Sequence, residues 1–128
     1  MSEIKNLVDG EIINLSEEEI KDVIENNNII PNRGKVIITC NSIEYEEGDL
    51  ETDLTMLSDI QTVVAVSDNN TFVKAGDKVI LDLESLKVPV TGVRDSFEEN
   101  YQLNIDYVMS GGYMLSMINE RNIKAKIV

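Results

Sequence analysis

Residues 61–83, with the sequence QTVVAVSDNNTFVKAGDKVILDL, decide the fold. The β-branched residues at 63–66 predict a strand, and 67–70 has the composition of a turn. The tripeptide Ala-Gly-Asp at 75–77 predicts a corner, and a second strand is expected at 79–83. Short aliphatic strands joined by polar turns are typical of a small β-barrel.

The size and composition of the chain favour one β-rich domain. It has 128 residues, 42% of them hydrophobic but only 5% aromatic, and no Trp. A chain of this length can bury a modest core without disulfides or metal. That core must be built from Ile, Val and Leu, and β-branched residues favour strands.

The charge of the chain is strongly acidic and unevenly distributed. The net charge is −13, and residues 1–59 carry fifteen acidic but only four basic side chains. Such a field repels a phosphate backbone, so direct nucleic-acid binding is not expected. Basic protein surfaces are the expected partners.

Cys40 is the only cysteine, so an intramolecular disulfide is impossible. It lies in the apolar run KVIITC, which predicts a buried thiol in a reducing compartment. The first residues show no leader pattern, and no apolar run approaches the ~20 residues of a membrane span. We therefore expect a cytoplasmic location or a place in a particle assembled there.

Residues 1–34 are predicted to be an extension that precedes a barrel domain at 35–128. A helix is expected at 17–25, because Ser16 and Glu19 can form a capping box. Its apolar stripe consists of Ile20, Val23 and Ile24. This stripe either packs on its own barrel or acts as an arm on a neighbouring subunit, and the sequence leaves both open.

Residues 42–58 predict a long acidic loop with an apolar tip. Six acidic side chains and no basic one occur there. The tip contains Leu54, Met56 and Leu57. Apolar residues on a solvated loop can insert into a groove on a partner, but the same residues could instead begin the next strand and enter the core.

The remaining pattern predicts strands at 35–40, 86–93, 113–118 and 123–128. Residues 101–107 alternate between apolar and polar side chains, which predicts one further strand with a solvated face. The chain is thus expected to have a mainly β fold, a small and partly open barrel with a short N-terminal helical extension.

No catalytic or metal-binding constellation is visible. The chain has no His, which removes the usual base of nucleophilic triads and a common metal ligand. Asp49, Glu51 and Asp53 have the spacing that opens a calcium loop, but Leu54 replaces its glycine and Ile60 replaces its last glutamate. We expect no enzyme activity and no metal or cofactor.

The order of motifs resembles the GroES-like co-chaperonin barrel family. The matching segments are Pro31 with KVII at 35–38, TVVAV at 62–66, VKAGDKVI at 73–80, and YVMS at 107–110 with MLSMI at 114–118. The resemblance implies a compact barrel that forms a ring through its edge strands and caps a chaperonin with mobile loops. In place of the family's glycine and apolar triplet, this chain has the acidic segment and LTML at 54–57.

A barrel framework without the usual chaperonin-binding tip suggests another use. The leading hypothesis is a non-enzymatic structural component of a virion or other large particle, of the auxiliary capsid type. The composition, rich in Asn, Ile and Glu, would suit an AT-rich genome such as that of many bacteriophages. The alternative is a divergent, phage-type co-chaperonin. Either role predicts a homo-oligomer with protein partners, contacted through Ile20, Val23, Ile24, Leu54, Met56 and Leu57.

Overall fold

The computed structural model describes residues 4–8, 11–43, 57–89, 101–103 and 105–128. Its strands are β1 (Leu7–Val8), β2 (Glu11–Ile12), β3 (Lys35–Ile38), β4 (Ile60–Val66), β5 (Lys78–Leu81), β6 (Lys87–Pro89), β7 (Tyr101–Leu103), β8 (Asp106–Ser110), β9 (Tyr113–Asn119) and β10 (Ile123–Ile127). The helices are α1 (Glu17–Glu25) and α2 (Leu83–Leu86), with a 3-10 turn at Glu120–Asn122. The predicted mainly β fold is confirmed.

The central element is a six-stranded antiparallel sheet in the order β10, β5, β4, β3, β9, β8. It is not closed, so β10 and β8 are its two edges. Two further antiparallel strand pairs, β1 with β2 and β6 with β7, lie outside this sheet. The chain therefore has an open antiparallel sheet with two short helices.

Successive side chains of a strand point to opposite sides of the sheet, and at β3 the side chains on both sides are buried. Val36 and Ile38 belong to one apolar cluster with residues of β4, β5, α2 and β10. Ile37, between them, belongs to a second cluster with Leu115 and the apolar side of α1. Two separate clusters therefore hold the sheet from its two sides.

A β-bulge in β4 widens the second cluster. Ile37 is paired with Ala65 and Ile38 with Val63, which leaves Val64 as an extra residue. Val64 and Ala65 are consecutive, yet both lie in the cluster beneath α1. The bulge departs from strict alternation and allows β4 to present two adjacent apolar side chains to the helix.

The helix α1 begins and ends as the sequence predicts. The Ser16 side chain accepts a hydrogen bond from the Glu19 backbone, and the Glu19 carboxylate accepts one from the Ser16 backbone. This capping box satisfies two backbone donors at the start of the helix. Ile20 and Val23 are buried in the cluster shared with the sheet, and Ile24 packs at its margin. The extension thus docks on its own sheet, which is the first of the two alternatives.

The turn and corner of the decisive stretch are also confirmed. The Asn70 amide donates to the Ser67 carbonyl at 3.1 Å, and the Asp77 amide donates to the Lys74 carbonyl at 3.1 Å. Gly76 has a φ of +97°, which side chains other than glycine rarely adopt. The corner therefore requires glycine at this position.

Three strand predictions need correction. Residues 101–107 do not form one strand, because β7 pairs with β6 whereas β8 pairs with β9. The strand expected at 79–83 ends at Leu81, since the Asp82 side chain accepts a hydrogen bond from the Ser85 amide and starts α2. Strand β3 similarly ends at Ile38 rather than at residue 40. Residues 90–93 lie outside the described part.

Substitution of Ile20 by Ala tests the docking of α1 on the sheet. Because Ile20 is buried within the chain, we expect the free energy of unfolding to fall by about 2–5 kcal/mol. Ile30→Ala is the matched control, since Ile30 is exposed. Urea denaturation measures the free energy of unfolding of both variants. An unchanged stability for Ile20→Ala would show that α1 does not pack on its own sheet.

Candidate protein-binding surface

Three side-chain amides fix the chain at the two ends of the segment 44–56. The Asn14 side chain donates to the Ser42 carbonyl at 3.1 Å and accepts from the Ser42 amide at 2.8 Å. The Asn41 side chain accepts from the Leu15 amide at 2.9 Å and donates to the Leu15 carbonyl at 3.2 Å. Each amide thus imitates the paired hydrogen bonds of a neighbouring strand.

Gln61 completes this arrangement from β4. Its carbonyl oxygen accepts from the Thr39 hydroxyl at 2.7 Å and from the Asn41 amide at 2.9 Å. Its amide nitrogen donates to the Asn41 carbonyl at 2.7 Å and to the Ser58 carbonyl at 2.8 Å. We call Asn14, Asn41 and Gln61 the carboxamide clasp. It ties the extension, β3 and β4 together where the acidic segment leaves and rejoins the fold.

Three isoleucines are exposed around the clasp. Ile13 is 49% exposed, Ile43 is 41% exposed and Ile60 is 48% exposed. Ile13 and Ile43 adjoin the hydrogen-bonded pair Asn14 and Ser42 along the chain. Ile60 lines the same surface groove as Asn14 and Ser42. We call Ile13, Ile43 and Ile60 the isoleucine group.

Acidic side chains accompany the isoleucine group. Glu17, at the start of α1, lines the groove and forms an ion pair with Lys78 at 3.1 Å. Glu18 is exposed beside it. The exposed ion pair links α1 to β5 but contributes little stability. The groove itself is lined mainly by polar side chains, with Ile60 as its exposed apolar residue.

The structure separates the residues that the sequence assigns to partner binding. Ile20 and Val23 are buried inside the chain, so in this conformation they cannot touch a partner. Ile24 is partly buried against the same cluster. Leu57 forms a β-bridge with Ser42 and packs on the other cluster, as expected of a residue that enters the core. Leu54 and Met56 lie outside the described residues.

Sequence reasoning missed both the carboxamide clasp and the isoleucine group. Asn and Gln occur throughout the chain, and nothing in their spacing shows which of them meet a backbone. Isoleucines in short strands are ordinarily predicted to be core residues. The acidic segment was the one sequence feature that could have located this surface, because the clasp residues Asn41 and Gln61 flank that segment.

Cys40 is a buried thiol, as predicted. Its sulfur donates to the Met114 carbonyl at 3.5 Å. Burial raises the pKa of the Cys40 thiol above its ordinary value of 9.0, and the neighbouring Ser116 hydroxyl offsets a smaller part of that rise. A thiol that resists ionisation is a poor nucleophile.

The described ranges contain no group of three or more acidic or thiol side chains placed to hold a metal ion. The calcium-like pattern at 49–53 lies outside those ranges. In the same part of the chain, no helix is long and apolar enough to cross a bilayer. Searches of protein-family models, curated proteins and solved structures return no match to the chain.

Asn41→Asp tests the carboxamide clasp. The carboxylate keeps an acceptor for the Leu15 amide but has no donor for the Leu15 carbonyl, and it places charge in a partly buried position. We expect a loss of about 1–3 kcal/mol in the free energy of unfolding. Asn32→Asp is the control of equal charge, because Asn32 only accepts from the exposed Arg33 amide. Equal losses in both variants would contradict the role of the clasp.

The raised pKa of Cys40 predicts a dependence of stability on pH. Above about pH 9 the thiol ionises in the unfolded chain while it stays protonated in the folded chain, so stability falls as pH rises. The slope from this one group is at most about 1.4 kcal/mol per pH unit. Cys40→Ala should remove that part of the loss in denaturation curves between about pH 8 and 10.5. If the free energy of unfolding fell equally with pH in the wild type and in Cys40→Ala, the raised pKa of Cys40 would be contradicted.

Proposed function

We propose that the chain is a non-enzymatic structural component of a virion or other large particle, and that its β fold serves as an assembly module. The observation that carries this proposal is the isoleucine group, held by the carboxamide clasp beside acidic side chains. This surface suits a protein partner better than a small substrate, since the described side chains that line its groove are amides, hydroxyls, aliphatic groups and one ion pair. The GroES-like identity of the barrel is part of the proposal.

The isoleucine group would form the apolar centre of the interface. Stable interfaces have an apolar core within a polar rim. Each isoleucine leaves 41–49% of its surface exposed, whereas Ile37 and Ile38 are fully buried in the two clusters. Burial of these side chains against a partner would supply the favourable free energy of binding.

The charge around the isoleucine group points to a basic partner. Glu17 and Glu18 lie at the start of α1, and the sequence between Ile43 and Leu57 adds six acidic residues and no basic one. Charges at the rim of an interface steer association and select partners more than they add affinity. A basic protein surface with apolar side chains has the complementary chemistry.

A chaperonin ring is the second candidate partner. The acidic segment connects β3 to β4, which is the connection that carries the mobile loop in GroES-like proteins by the resemblance above. In this role Leu54 and Met56 would be the contact residues. Leu57 would be an anchor rather than a contact, because it packs on the core.

The proposal is tested with a synthetic peptide of alternating Lys and Leu residues, whose binding is followed by fluorescence anisotropy. We expect saturable binding that weakens with salt, because part of it is electrostatic. The double variant Ile13→Ser with Ile43→Ser should weaken it about 10-fold, equal to about 1.4 kcal/mol. Ile30→Ser is the matched control, since Ile30 is exposed on the segment that leads into β3.

A parallel experiment separates the two partners. The protein is mixed with a bacterial chaperonin and nucleotide, and co-sedimentation is measured for the wild type and for Leu54→Asp with Met56→Asp. Saturable binding that this pair abolishes would favour the co-chaperonin role. Peptide binding that is equal in all variants would contradict the isoleucine group as a binding surface.

A further inference from the structure

The two edge strands of the six-stranded sheet differ in how well they are protected against pairing with another chain. An edge strand presents unpaired backbone donors and acceptors that can pair with another chain. Among the described residues, β8 pairs only with β9 and β10 pairs only with β5. None of the remaining backbone hydrogen bonds between described residues engages either strand on its outer side.

Strand β10 carries features that prevent edge pairing. Its register against β5 shifts between Ile123 and Ala125, so Lys124 forms a bulge. Lys124 is exposed, and Lys126 follows two residues later. A bulge and edge lysines are both known to block further strand addition. This edge is therefore unsuited to pairing.

Strand β8 carries none of these features. It has five residues, DYVMS, in uninterrupted register with β9 and without Lys or Pro. Tyr107 is 56% exposed and Met109 is 47% exposed. Both residues are large and apolar, and both point away from the cluster that Val108 contacts. An open edge flanked by such side chains is a surface suited to pairing.

We propose that two copies of this chain associate through antiparallel pairing of β8 with β8, about a two-fold axis at Val108. This register places Tyr107 opposite Met109 of the second copy, twice in the dimer. Cross-strand aromatic pairs stabilise a sheet, and thioether contacts with aromatic rings are favourable. The two sheets would become one continuous sheet of twelve strands.

The charges of the chain select this antiparallel arrangement. Asp106 is the only charged residue of β8, and in the antiparallel register it lies opposite Ser110 of the second copy. Parallel pairing would bring the two Asp106 carboxylates together, which is unfavourable. Pairing of β8 with β10 would build rings or filaments, but it would require the bulged, lysine-bearing edge to pair.

The proposal is tested by the mass of the full chain in solution, from sedimentation at about 0.15 M salt, where surface repulsion is screened. We expect twice the mass of one chain. Tyr107→Lys and Met109→Lys should each raise the dissociation constant at least about 10-fold, because they place an edge lysine on β8. The matched control is Ile127→Lys on β10, where Ile127 is 42% exposed; it should leave the dimer intact.

A cross-linking experiment tests the register. In a Cys40→Ala background, an equimolar mixture of the Tyr107→Cys and Met109→Cys variants should form an intermolecular disulfide faster than either variant alone. In the proposed register, residue 107 of one copy lies directly opposite residue 109 of the other, close enough for a disulfide. The two residues at position 107 lie diagonally across the strands and are farther apart. A monomer at all concentrations, a dimer that survives both lysine variants, or a larger ring broken by Ile127→Lys would each overturn the proposal.

Discussion

The fold depends on the burial of β3 from both sides. Val36, Ile37 and Ile38 are fully buried at three successive positions, although a strand directs neighbouring side chains to opposite faces. Other elements of the chain must therefore pack on both faces of β3. Residues of β4, β5, β10 and α2 pack with Val36 and Ile38. On the other face, among the described residues, α1 and Leu15 pack with Ile37, so the extension forms part of the core.

This requirement explains the position of the carboxamide clasp. Backbone groups outside regular strands need other hydrogen-bond partners, and the Asn41 side chain supplies both a donor and an acceptor for Leu15 of the extension. In the opposite direction, side chains of the extension bond the amide and carbonyl of residues beyond it: Asn14 bonds those of Ser42 and Asn6 those of Met114. The side chains that secure the extension thus also hold the isoleucine group and both ends of the acidic segment in place.

The elements predicted well from sequence are those whose signals are local. Ser16 and Glu19 determine the start of α1 through the capping box, and Gly76 determines the corner by its positive φ. The partners of each element depend on distant residues and were not predicted. The alternation at 101–107 is real, yet its two halves pair with different strands. The exposed Ile13 and Ile43 could not be told from core isoleucines, because their exposure depends on the clasp.

The two proposed surfaces lie on different parts of the fold and can act together. The isoleucine group surrounds the connection between β3 and β4, whereas β8 is the edge of the sheet beyond β9. A dimer formed through β8 would carry two isoleucine groups, one from each copy. A dimer with two such surfaces gains avidity on a repetitive partner without any new contact, provided that the spacing of the partner's sites matches. A particle built from repeated subunits offers that spacing, and an isolated partner molecule does not.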